Sequence, residues 1–268
     1  MLVSVGQFSP GGGVEGNLAV MRSLAEKAKA EGAELIVFPE ESMFSIGKVE
    51  GPLAAAVDAG WSTFVQRLSL AAAELGIAVV AGGYESSGED RPYNTLVAIE
   101  ADGRIAATYR KLHLYDAFSY SESTRIKPGD RGIQVVELGG LRVGLMTCYD
   151  LRFPELARAL AVQGADLIAV PAAWFRGEHK IDHWETLLKA RAIENTVWVA
   201  AAGTSSGHTI GHSAILDPMG VPQAFLGEET EAVATADVAR NRIEEVREYL
   251  PVLANRRFAA AEEILEGP

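Results

Sequence analysis

Short apolar runs alternate with segments of helical period along almost the whole chain. LVSVGQF (2–8) reads as a strand, and Asn17 to Glu31 as a helix with Leu18, Met21, Ala25 and Ala28 on one face and Gly32 as its stop. LIVF (35–38) is a short buried strand that ends at Pro39-Glu40. Ser62 caps a second helix through Leu75, closed by Gly76, and IAVVAGGY (77–84) follows as a strand. Thr95 to Glu100 and Arg104 to Leu112 form a hairpin around Asp102-Gly103. Gly139-Gly140 joins two more strands, the second running into Cys148.

The second half repeats the pattern. A helix from about Pro154 leads to LIAV (167–170), and a helix over His183 to Glu194 leads to VWVAAA (197–202). Strands cover Ser213–Leu216 and Ala232–Asp237, and a charged helix spans roughly Arg240 to Leu250. Hairpins mixed with strand–helix units argue against a purely parallel sheet. A layered α/β sandwich of mixed sheets with helices outside fits better.

Composition narrows the class. The chain has 268 residues, 48% of them hydrophobic, enough for a sizeable core. No linker, low-complexity tract or charge block divides it, so a single domain over 1–268 is expected. Net charge is −12, the wrong sign for a nucleic-acid partner. One cysteine forms no intrachain disulfide. No segment reaches the ~20 apolar residues of a membrane helix, and MLVSVGQF lacks the basic-then-apolar pattern of a signal peptide. The expectation is a soluble cytoplasmic protein.

Three motif matches compete for the chemistry. Gly11, Gly13 and Gly16 make a GxGxxG, but Phe8-Ser9-Pro10 separate it from the strand's apolar run, and the acid at the right distance, Glu40, follows a proline. A surface loop explains these glycines better. Ser205 sits in a GxSxG, yet a nucleophile elbow runs straight into a helix, and HTIGHSAILD looks like another strand. His179 and His183 are four apart, as are His208 and His212, without the glutamate of HExxH or an obvious third ligand.

Cys148 alone reads more readily as a small buried hydrophobe than as a nucleophile. Its position changes the balance. Glu40 lies just past LIVF, Lys111 near the end of AATYRKLHL, and Cys148 at the end of LRVGLMT. Three different reactive groups thus stand at the ends of predicted strands, where loops assemble active sites on a rigid sheet. Burying them separately is costly, and grouping them offsets part of that cost. Together they suit attack on an amide carbon, which needs a nucleophile, an oxyanion stabiliser and a proton shuttle. Glu40 would take the thiol proton, return it to the departing nitrogen, and later activate water. Lys111 would face the oxyanion, helped by a backbone N–H such as that of Tyr149. The helix near Pro154 would favour a thiolate through its dipole.

FPEES, YRKLHL and TCYDLRFPE, in this order and at these separations, resemble the three signature blocks of the nitrilase superfamily of carbon–nitrogen hydrolases. GADLIAVPAAW, HWETLLKARAIENTVWVAAA and HSAILDPMG resemble that family's later segments, which extends the likeness to about residue 255. The resemblance implies a four-layer αββα sandwich, with no cofactor and no metal. It makes Glu40, rather than neighbouring Glu41, the general base, Lys111 the family lysine and Cys148 the nucleophile. A fourth family acid maps onto Glu122 in YSESTRIKPG. The resemblance further implies a homodimer or higher homo-oligomer, with a tail from about 255 packed on a partner subunit.

CYDLRFPE resembles the amidase-type branches, including ω-amidases, deaminated-glutathione amidases and carbamoyl amidohydrolases, more than true nitrilases. The expected substrate is therefore a small amide with a remote carboxylate, cleaved with release of ammonia through a Cys148 thioester. Arg176, in PAAWFRGEH, is the candidate grip for that carboxylate, with Arg152 beside the cysteine as a second cation. Alternatives are an N-carbamoyl amino acid amidohydrolase, a nitrilase, or a catalytically idle binding protein.

Overall fold

The structure is a computed structural model that describes residues 1–259. In chain order its strands are β1 (Leu2–Phe8), β2 (Leu35–Val37), β3 (Ala78–Glu85), β4 (Tyr93–Ile99), β5 (Ile105–Arg110), β6 (Asp116–Ala117) and β7 (Tyr120–Ser121), followed by β8 (Val135–Leu138), β9 (Leu141–Leu145), β10 (Leu167–Ala172), β11 (Trp198–Gly203), β12 (Ala214–Leu216), β13 (Pro222–Phe225) and β14 (Glu231–Asp237). The helices are α1 (Val14–Ala30), α2 (Leu53–Leu75), α3 (Pro154–Val162), α4 (Lys180–Asn195) and α5 (Arg240–Tyr249).

Two six-stranded mixed sheets form the centre, in the orders β14-β1-β2-β3-β4-β5 and β13-β12-β11-β10-β9-β8. β1, β2 and β3 run parallel, as do β9, β10 and β11, while hairpins extend each sheet antiparallel. This is the expected αββα sandwich. The two halves do not close separately, because β14 returns to pair along all of β1.

The continuous apolar strands have a simple cause. In β2, Leu35 and Val37 face the opposing sheet while Ile36 faces the helices, and β3 divides in the same way between Ala78/Val80 and Val79/Ala81. Both faces of such a strand are dry, so alternation disappears from the sequence although the two-residue period persists in space. Each fully buried Leu, Ile or Val contributes roughly 1.5–3 kcal/mol. α1 and α2 cover one side through Met21, Leu24, Phe64 and Leu68. On the other side α3 and α4 bury Leu156, Leu160, Trp184 and Leu188.

Three helix starts differ from the sequence expectation, the first being α1, which begins at Val14 instead of Asn17 and so takes in Gly16. α2 begins at Leu53, after an extended Pro52, so Ser62 lies inside the helix instead of capping it. The alanine-rich LAAAVDAG has high helix propensity, and Gly60 is tolerated within it because a Cβ there would stand 2.8 Å from Met43. α4 likewise begins at Lys180, ahead of His183, after a left-handed His179. β13 had no sequence signal, since PQAF is largely exposed and opens with proline. Most of the tail assigned to a partner subunit (260–268) lies outside the described residues. Among those described, no helix is long and apolar enough to cross a membrane.

Candidate active site

Three strand ends deliver the expected groups to one place. Glu40 follows β2 by way of Phe38-Pro39, Lys111 directly follows β5, and Cys148 follows β9 through Met146-Thr147. Glu122 comes from a one-turn 3-10 helix, Glu122–Thr124, just after β7. All four are buried and line one cavity.

Lys111 Nζ donates to Glu40 Oε1 at 2.8 Å and to Glu122 Oε2 at 2.8 Å. Asn94, on β4, donates to the same two carboxylates at 2.7 and 3.2 Å. The backbone N–H of Ala173 donates to Glu40 Oε2 at 2.8 Å, and that of Tyr115 to Glu122 Oε2 at 2.7 Å. Such a cluster survives burial because each oxygen has a donor, and removal of one charged member strands the others, typically at a cost of about 3–5 kcal/mol. Asn94 escaped the sequence reading. A polar side chain within the otherwise apolar YNTLVAI was the available signal.

The protonation states follow from this packing. Burial works to discharge the Lys111 ammonium, but the Glu122 and Glu40 carboxylates overcome it and hold its pKa well above the ordinary lysine range. Lys111 is therefore a fixed cation and no base. Burial pushes the Cys148 thiol well up, reinforced by the Glu40 charge and opposed by Lys111. A thiolate favoured by the helix dipole is not what results. A 3-10 turn, Cys148–Arg152, separates the sulfur from α3, and desolvation outweighs any dipole. The resting thiol keeps its proton and needs a base beside it.

Cys148 has a left-handed backbone, φ 46, uncommon for a residue with a Cβ. Asp150 holds that turn. One of its oxygens accepts Tyr109 Oη at 2.7 Å and the Thr147 N–H at 2.9 Å, and the other accepts the His113 N–H at 3.1 Å and lies 2.7 Å from His113 Nδ1. The nucleophile's turn is thus fastened to the chain on either side of Lys111.

Two glycines let the catalytic backbones approach their neighbours. A Cβ on Gly82 would meet the Glu40 carbonyl oxygen at 2.1 Å, and one on Gly129 would meet the Arg110 carbonyl oxygen at 2.3 Å. Gly82→Ala must therefore displace Glu40. We expect kcat to fall by about 10²-fold, the usual cost of an ångström-scale misplacement, in steady-state kinetics on a protein that still melts cooperatively. Wild-type kcat in that variant would show that the placement of Glu40 does not depend on this contact.

The remaining sequence candidates fall in different places. Tyr149 lines the cavity next to the sulfur. Glu41 also reaches the cavity wall, where its Oε1 accepts the Ile46 N–H and Tyr84 Oη, each at 3.0 Å, and burial pushes its pKa up. Arg176 is not brought to the site. Its guanidinium forms a bidentate pair with Glu228 at 3.0 and 2.9 Å in a separate surface groove. Arg152 packs its guanidinium 4.8 Å from the Trp174 ring centroid, behind the cavity wall. Lys180, unremarked in the sequence, does line the cavity. Ser205 is buried with its hydroxyl on the Glu228 carbonyl, in the loop between β11 and β12, and no helix follows it. His179 is exposed beside Glu178 and Asp182, and His212 pairs with Glu185.

This geometry, two mixed sheets with Glu, Lys and Cys meeting at their strand ends, defines a class that the comparisons identify. The family model described as carbon-nitrogen hydrolase matches residues 2–248, and the chain belongs to that family, in the amidase branch of the nitrilase superfamily. A deaminated glutathione amidase from Escherichia coli O157:H7 is 41% identical over 259 residues, covering 97% of this chain and 98% of that protein. An omega-amidase from Homo sapiens is 33% identical over 245 residues, covering 88% and 87%. The carbon-nitrogen hydrolase of Helicobacter pylori G27 superposes with a TM-score of 0.88 at 26% identity, over 96% and 95% of the two chains. A mutant of the amidase from Nesterenkonia sp. AN1, carrying the acetamide moiety of fluoroacetamide covalently on its active-site cysteine, superposes with a TM-score of 0.80 at 28% identity, over 96% and 94%.

Proposed function

We propose that this protein hydrolyses the amide of a small carboxylate-bearing molecule to ammonia and the corresponding acid, through a thioester on Cys148. The observation that carries the proposal is the buried contact of Glu40 with Lys111 in the cavity that Cys148 also lines. Glu40 takes the thiol proton as Sγ attacks the amide carbon. The negative charge that forms on oxygen faces the Lys111 ammonium and the backbone N–H of Tyr149. Glu40 returns the proton to nitrogen, the C–N bond breaks and ammonia leaves. Glu40 then takes a proton from water, whose oxygen attacks the thioester carbon, and the thiol regains its proton as the acid departs. Glu122 and Asn94 hold Lys111 and Glu40 in place throughout. Relatives named as deaminated glutathione amidase and omega-amidase support the amide chemistry.

The test is ammonia release from a panel of ω-amides of dicarboxylic acids, N-carbamoyl amino acids and nitriles. The expected result is ammonia from the ω-amides without carbon dioxide. Joint release of carbon dioxide from carbamoyl compounds alone would replace this reading with the carbamoyl one.

The same proposal takes the chain as one hydrolase domain that works in the cytoplasm as a homodimer or larger assembly. Val162 on α3 and Ile193 on α4 are exposed apolar side chains on the helices after the cysteine, as such an assembly requires.

A further inference from the structure

The cavity carries charge of both signs. It holds two carboxylates, Glu40 and Glu122, against one ammonium, Lys111. The same cavity is lined by Lys180, the first residue of α4, buried to 5% exposure. No carboxylate among the described residues is ion-paired with Lys180. Its Nζ has one hydrogen-bond contact, Tyr115 Oη at 3.2 Å, and lies 4.6 to 4.9 Å from the ring centroids of Phe118, Tyr115 and Trp174. Two of these rings, Phe118 and Trp174, also meet a second cation. Arg152 lies 4.8 Å from the Trp174 centroid and 5.7 Å from that of Phe118, and its Nε is buried without a hydrogen-bond partner among the described residues.

An ammonium this buried is costly without an anion, and aromatic faces return only part of the cost. Burial and the repulsion of Arg152 together press Lys180 below the ordinary lysine range. The arrangement is also rigid. Trp174 Nε1 donates to the Lys180 carbonyl at 2.8 Å, which ties the cavity wall to the start of α4. A buried, preorganised cation lining a small-molecule cavity is what a carboxylate subsite requires.

We infer that Lys180, backed by Arg152 and walled by Tyr115, Phe118 and Trp174, binds the remote carboxylate of the substrate and so determines its specificity and orientation. The inference rests on the amidase reading and adds the residue that selects the substrate. A substrate bound one way round meets Lys180 with its carboxylate. The reverse entry brings its charge against Glu40 and Glu122 and is repelled. Arg176 takes no part, because Glu228 already occupies its guanidinium.

The test compares glutaramate with pentanamide, which replaces the carboxylate by a methyl group on the same chain. Wild-type protein is expected to favour glutaramate in kcat/KM by roughly 10- to 100-fold, the range of one buried charge-assisted contact. Lys180→Gln should remove that preference, chiefly through KM, by lowering kcat/KM for glutaramate far more than for pentanamide. Lys180→Arg should restore part of it. Equal loss on both amides would assign Lys180 a structural role and overturn the inference, as would an unchanged preference. Should Lys180→Gln not fold, inhibition of the wild-type protein decides. Glutarate must bind at least about tenfold tighter than pentanoate, and equal binding overturns the subsite. No ammonia from either amide defeats the amidase reading and the subsite with it, whereas equal turnover of both defeats the subsite alone.

Discussion

Cys148→Ala is expected to abolish turnover of every amide the wild-type protein accepts, by at least about 10⁴-fold. The size of the effect follows from the proposed mechanism. Without sulfur no covalent intermediate forms, and Lys111 and Tyr149 are left to assist direct attack by water from a position set for a thioester. The substitution removes one atom from a buried turn and none from the Glu40–Lys111–Glu122 triangle, so the melting temperature should move by only a few degrees. A near-wild-type melt with no ammonia release is the predicted pair of observations. Retained turnover would end the nucleophile assignment.

Glu40→Gln should be nearly as damaging, with kcat down about 10²- to 10⁴-fold, whereas Glu41→Gln should stay within about fivefold. Hydrogen-bond inventory separates the two neighbours. Glu40 uses both oxygens, Oε1 for Lys111 and Asn94 and Oε2 for the Ala173 N–H. A glutamine offers one oxygen, so its amide group must point donors at donors on one side or the other, and it no longer accepts the thiol proton. Glu41 receives both its contacts on a single oxygen, Oε1, which a glutamine reproduces. Burial also pushes the Glu41 pKa up, against the hydrogen bonds that Oε1 accepts. Rates of ammonia release from the two variants check the choice of acid, and a damaged Glu41→Gln beside an active Glu40→Gln would reverse it.

What could be read in the sequence follows from range. Strand ends are local signals, and LIVF, AATYRKLHL and LRVGLMT each announced one. The apolar runs also told that both sheet faces are covered, since β2 and β3 bury both their sides. Lys180 gave no signal because it stands among the polar residues of HKIDH, where only Ile181 is apolar. Its burial depends on Trp174, six residues earlier, and on Tyr115 from the other half of the chain. Arg176 misled for the converse reason. It follows an apolar strand as an active-site residue should, but Glu228, far along the chain, turns it to the surface. The start of α2 was missed because Ser62 offered a local cap signal, while the helix runs unbroken from Leu53. Long-range partners, not local propensity, decided the places of Lys180 and Arg176.

The thioester itself is the central claim, and hydroxylamine partitioning tests it most directly. An acyl group held on Cys148 is open to any small nucleophile, so added hydroxylamine should divert it from acid to hydroxamate. We predict that hydroxamate appears in proportion to hydroxylamine, that each molecule formed replaces one of acid, and that both products vanish in Cys148→Ala. Ammonia and acid formed at the normal rate, with no hydroxamate at any hydroxylamine concentration and turnover preserved in Cys148→Ala, would contradict the account.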